Sequence, residues 1–125
     1  MAAVAIVVLL ALLEYLFFGL RVGAARAKYG VKAPAVTGDP AFERYFRIHQ
    51  NTLENLVVFF PVALLVLHAG HGEHPYAAAL AWTFLGARVG HLVFYAAGVP
   101  PLRSVTHVTG LCVYTGLFAI LLGLI

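Results

Sequence analysis

Charge is what this sequence has least of. Asp, Glu, Lys and Arg make up 10% of its 125 residues, against roughly 25% in soluble domains. A soluble domain of this size leaves much of its surface in water, and 13 charged side chains cannot cover that surface. The scarcity excludes a water-soluble enzyme, a disordered tail and a nucleic-acid-binding domain. Cysteine is nearly absent too: one residue permits no intrachain disulfide and no multi-cysteine zinc site. What fills the space is apolar, 62% of all residues, with a mean hydropathy of +0.93. The chain reads as an integral membrane protein of one domain, residues 1–125.

About 20 apolar residues in a helix cross the hydrocarbon of a bilayer. Four stretches qualify: Ala2–Leu20, one centred on Leu53–Leu67, one from Tyr76 to about Val99, and one from Val105 to Ile125. The expected fold is therefore all-α, a four-helix membrane bundle. No Lys or Arg precedes the first stretch, and it is longer than a signal-peptide core, so it reads as a retained helix. All eight Lys and Arg fall in two blocks, Arg21 to Arg47 and Arg88 with Arg103. By the positive-inside rule the first and third connections face the cytoplasm and both termini face the other side. The pI of 9.3 is then a topology signal, and no nucleic-acid partner is implied.

The first connection, Arg21 to Asp39, is the only long one. Asp39-Pro40 reads as an N-cap followed by proline at the first helical position. Nothing stops the helix it opens until about His68, a length of about 43 Å at ~1.5 Å per residue. That exceeds the ~30 Å hydrocarbon, so its first turns protrude, and Pro61 is expected to kink it.

Few polar residues interrupt the apolar stretches, and they align. At 100° per residue Arg47, Asn51 and Glu54 share a stripe about 60° wide, with His49 on the opposite side. Arg88, His91 and Tyr95 share a face of the third helix. Ionisable groups inside a membrane are costly and mark a site by default. The competing reading is structural: an ion pair of Arg47 with Glu54, or of Arg88 with Glu14. Pro100-Pro101 are expected to end the third helix. His68, His71 and His74 recur every three residues, but Gly70, Gly72 and Pro75 break any helical register, so a solvated loop is expected rather than a metal site.

The run Arg47-Ile48-His49-Gln50-Asn51-Thr52-Leu53-Glu54, preceded by Phe42-Glu43-Arg44, resembles the hallmark of the MAPEG family, the membrane-associated proteins of eicosanoid and glutathione metabolism. The likeness is strongest to members of the type 3 microsomal glutathione transferase kind. Ala25–Val31 looks like the end of the family's first helix, and Arg88-Val89, Tyr95–Gly98 and Arg103 match its third helix and the turn after it. The resemblance implies a homotrimer of four-helix protomers that binds glutathione between subunits near the cytoplasmic face. It implies glutathione contacts from Arg26, Arg47, His49, Asn51, Glu54, His91 and Tyr95, with Arg103 activating the thiol. Asn55 stands where leukotriene-synthase-like members of the family carry tyrosine, and His91 where tyrosine is usual; the resemblance makes both binding-shell positions.

The residue chemistry fits that ligand. Glutathione carries two carboxylates, an ammonium and a thiol; arginines grip carboxylates, and a carboxylate such as Glu54 meets an ammonium. A thiol of pKa about 8.5 is mostly protonated at neutral pH, while the thiolate is the nucleophile. A nearby guanidinium lowers that pKa. The expected activity is a glutathione transferase or peroxidase, without metal, acting on lipophilic electrophiles or lipid hydroperoxides in the membrane. The rival is a non-enzymatic lipid- or glutathione-binding protein of the same fold. A metal or haem protein built on the six histidines is disfavoured, because that topology scatters them across both membrane sides.

Overall fold

The computed structural model describes residues 2–125, and the side chains of residues 3–99 and 104–125. Four helices account for most of them: α1 (Ala2–Tyr29), α2 (Pro40–His68), α3 (Pro75–Ala96) and α4 (Pro100–Leu121), with a single 3₁₀ turn, His71–Glu73, between α2 and α3. All four are long and apolar enough to cross a membrane.

Local chemistry sets the helix ends. Asp39 caps α2 as expected, its Oδ1 accepting from the backbone N–H of Ala41 and Phe42 at 2.8 and 3.0 Å, with Pro40 in the first turn. Glu43 closes the cap by accepting from Gly38 N–H at 3.1 Å. The helix continues through Pro61 to His68. One boundary lies beyond the apolar run, where the resemblance at Ala25–Val31 puts it, and one differs from the expected one. The apolar run of α1 stops at Leu20, yet the helix continues to Tyr29, because Ala, Arg and Lys sustain it until Gly30. The second is a correction: α3 ends before the prolines. Gly98 takes φ +72°, its N–H bonds Tyr95 C=O, and Val99 N–H bonds Phe94 C=O, a Schellman end that requires glycine's freedom. Pro100 and Pro101 then open α4, where proline's missing N–H is no loss.

The helices run alternately up and down. Tyr15 stacks on His49 and Arg21 reaches Tyr45, so α1 and α2 are antiparallel. His91 meets Thr106, which sets α3 against α4 in the same way. Both termini therefore lie at the end of the bundle away from the α1–α2 connection. Lipid is as apolar as leucine, so close packing and interhelical hydrogen bonds must hold such a bundle together. Phe59 and Phe84 stack at 3.9 Å, both fully buried, at the centre of a core that draws on all four helices. Leu9, Leu13 and Leu16, each 61% exposed, face outward from α1, as a lipid-facing surface requires.

Candidate functional site

Where α2, α3 and α4 meet, a cleft of about 310 Å³ is lined by Asn51, Glu54 and Asn55, by Arg88 and His91, and by Ser104, His107 and Val108. Its volume lies at the lower end for small-molecule sites. The lining holds one carboxylate, one guanidinium, two amides, two imidazoles and a hydroxyl.

Arg88 is the side chain that sets its character. It is 1% exposed, and one of its nitrogens, Nη2, donates to the Thr106 carbonyl at 3.3 Å. Its Nε and Nη1 have no hydrogen-bond partner among the described residues. The structural alternative, an Arg88–Glu14 ion pair, is not closed: both Glu14 carboxylate oxygens are likewise without a hydrogen bond, although Glu14 is near enough for its charge to act on Arg88. A buried guanidinium with two open donor atoms is poised for an anion.

The α2 wall of the cleft is tied to α4. Tyr114 donates its hydroxyl hydrogen to Asn55 Oδ1 at 2.7 Å, and Asn55 Nδ2 donates to the Asn51 carbonyl at 2.7 Å. Gly110 makes room, since a Cβ there would stand 3.3 Å from Asn55 Oδ1. The relay fixes which way the Asn55 amide faces. Across the cleft His91, 3% exposed, shares a 3.0 Å hydrogen bond with the Thr106 hydroxyl. Beside the cleft runs an apolar groove of about 420 Å³ along α4, lined by Ser104, Val105, Val108, Thr109 and Cys112. Ser104 and Val108 line both, so a polar cavity and an apolar one lie side by side.

Asn51, Glu54 and His91, from two helices, thus line one cleft. Tyr95 packs its ring on His91 at 5.3 Å, just outside the lining. Arg47 is exposed on α2 away from the cleft, and Glu54 accepts from Gln50 at 3.5 Å rather than pairing with Arg47. Arg26 is engaged elsewhere: it donates to the Ala35 carbonyl at 2.7 Å and lies over the Phe42 ring. His49 faces α1, stacked on Tyr15 at 4.4 Å. The Arg103 side chain lies outside the described residues, though its neighbour Ser104 lines both cavities. Asn55 enters the lining from the flank of the Arg47–Glu54 stripe and Arg88 from the face it shares with His91 and Tyr95, whereas nothing in the sequence pattern singles out Ser104 and His107 for the cleft. A helical signal for part of this exists, since Gly110 and Tyr114 stand at i and i+4. No group of three His, Cys, Asp or Glu able to hold a metal ion occurs among the described residues. His74 instead accepts from Tyr76 N–H at 3.4 Å at the start of α3.

Comparison with known proteins agrees with this architecture. The model of the MAPEG family matches residues 4–123. The chain belongs to the MAPEG family. It is 36% identical to microsomal glutathione S-transferase 2 of Homo sapiens over 107 residues, covering 84% of this chain and 67% of that protein. It is 40% identical to leukotriene C4 synthase of Rattus norvegicus over 108 residues, 85% of this chain and 65% of that enzyme. An uncharacterized protein of Synechocystis is 44% identical over 85 residues, 68% of this chain and 61% of that protein. The matched stretch thus spans 61% to 67% of these relatives' lengths. With four apolar helices and MAPEG membership, the chain is an integral, multi-pass membrane protein.

Proposed function

We propose that this MAPEG protein is a membrane-bound glutathione transferase, binding glutathione in the cleft between α2, α3 and α4. The observation that carries the reading is buried Arg88, which has two donor atoms without a hydrogen-bond partner and lines the same cleft as Glu54. Glutathione brings the matching groups. A carboxylate of the tripeptide meets the Arg88 guanidinium, and its ammonium meets Glu54. The thiol reaches toward Ser104 and the first turn of α4, where Arg103 holds it as thiolate. The thiolate then attacks a lipophilic electrophile lying in the adjoining apolar groove. A carbon–sulfur bond forms, the leaving group departs with its electron pair, and the thiol proton goes to water. Lipid hydroperoxides are a second substrate class: the thiolate attacks the terminal peroxide oxygen, the O–O bond breaks, the lipid leaves as its alcohol, and a second glutathione reduces the resulting sulfenic acid to the disulfide and water.

Arg26, Arg47 and His49 lie away from this cleft on the same protomer. In a homotrimer a neighbouring copy supplies them, which makes the complete site an inter-subunit one. The basic residues set the α1–α2 connection, and with it the site, toward the cytoplasmic face. The apolar groove also favours a second reading, a lipid- or glutathione-binding protein without turnover. Conjugation of an aromatic halide by detergent-purified protein separates the two. The transferase reading expects turnover that falls about tenfold to a hundredfold in Arg103→Ala, the loss of about 1.4–2.7 kcal/mol of thiolate stabilisation. Glutathione binding with no turnover under any electrophile tested would favour the binding protein.

A further inference from the structure

A second polar cavity lies at the connection end of α1, away from the cleft. It holds about 150 Å³ and is lined by Arg21, Ala24, Ala25, Lys28, Tyr29 and Tyr45. Arg21 and Lys28 stand at i and i+7, on one face of α1. Arg21 Nη2 donates to the Tyr45 hydroxyl at 3.4 Å and its guanidinium lies over that ring at 5.3 Å. Lys28 Nζ lies over the Tyr29 ring at 5.3 Å. No acidic side chain lines the cavity, so two cations face it without a counter-charge from its walls. Arg26 does not belong to it: five residues beyond Arg21, it points about 140° away at 100° per residue, and it is bonded to the connection.

The same face of α1 continues downward as hydrocarbon. Phe17 and Leu13, one and two turns before Arg21, are 50% and 61% exposed. Cations with tyrosines at the end of a span, above an exposed apolar track, match an amphiphile with an anionic head. A free anion has no use for the track, and a neutral lipid has no use for both cations.

We propose that this cavity is the headgroup site of one anionic glycerophospholipid, its phosphate held between Arg21 and Lys28 and an acyl chain lying along Phe17 and Leu13. Tyr29 and Tyr45 wall the phosphate and keep the two cations turned into the cavity. The site is independent of the glutathione reading, since it shares no lining residue with the cleft.

The test uses the full chain purified in detergent after exposure to vesicles of phosphatidylcholine with a minor fraction of phosphatidylglycerol, with retained lipid counted by native mass spectrometry. The expected result is one retained phosphatidylglycerol per chain. Combining Arg21→Gln with Lys28→Gln should weaken retention about thirtyfold, the joint effect of two cations near an anionic lipid. Lys32→Gln, in the exposed connection outside the cavity, should leave retention unchanged, and Arg21→Lys should keep most of it. Inorganic phosphate and glycerophosphate, which lack chains, should not displace the lipid. Thermal unfolding of each variant checks that the bundle persists. Equal retention of phosphatidylcholine, an unaltered double variant that is folded, or displacement by inorganic phosphate would each overturn the proposal. So would a double variant that changes the oligomeric mass but not the lipid count, because the face would then be covered by a second copy.

Discussion

Arg88 illustrates how burial decides a residue's meaning. In sequence it is one cation near a GxxxG step of small residues, and helical spacing aligns it with His91 and Tyr95. That it is 1% exposed, with Nε and Nη1 open, depends on α4 and α1 closing around it, which no local pattern encodes. A buried charge without full partners costs stability that an apolar side chain in its place would not. Replacing it with an apolar residue of similar reach tests this. Arg88→Met should remain folded, with thermal stability equal to or above the parent. Its glutathione affinity should fall by about 1.5–3 kcal/mol, the range for a charge-assisted hydrogen bond, as read by calorimetry. Loss of folding with no separate effect on binding would return Arg88 to a structural role with Glu14.

At the scale of the helices, α2 was legible almost to the residue and its neighbours less so. The cap at Asp39, the proline after it and the stop near His68 are local signals that act through a few backbone groups. The end of α1 was not legible from hydropathy, because hydropathy marks where lipid begins and ends, whereas the helix stops only at Gly30. Pro100-Pro101 misled for a related reason: proline is compatible with the start of a helix as well as with its end. The stripe Arg47, Asn51, Glu54 divides at the cleft: Asn51 and Glu54 line it, and Arg47, one turn earlier, does not. The tie between α2 and α4 was invisible, because Asn55 and Tyr114 lie 59 positions apart. Tyr114→Phe removes that tie without removing volume. It should cost about 0.5–1.5 kcal/mol in unfolding, and it should weaken glutathione binding, since the Asn55 side-chain amide loses its fixed orientation. A variant with normal stability and normal binding would show that the relay positions nothing.

For the whole molecule, the alternating helices and the two blocks of basic residues make a statement about sidedness. In a Cys112→Ser background, a cysteine placed at Lys32 should react with a membrane-impermeant reagent from the cytoplasmic side only, and one at Glu73 from the opposite side only. Labelling of both from one side would invert or break the bundle described above. The account as a whole stands on where glutathione lies, and one thermodynamic cycle tests that directly. Glutathione and its analogue lacking the α-ammonium are each titrated into the parent protein and into Glu54→Gln. The account predicts that the substitution weakens glutathione by about 1.5–3 kcal/mol and leaves the analogue's affinity nearly unchanged, because Glu54 then has no ammonium to hold. Equal losses for both ligands, or no loss for either, would contradict glutathione's placement in the α2–α3–α4 cleft.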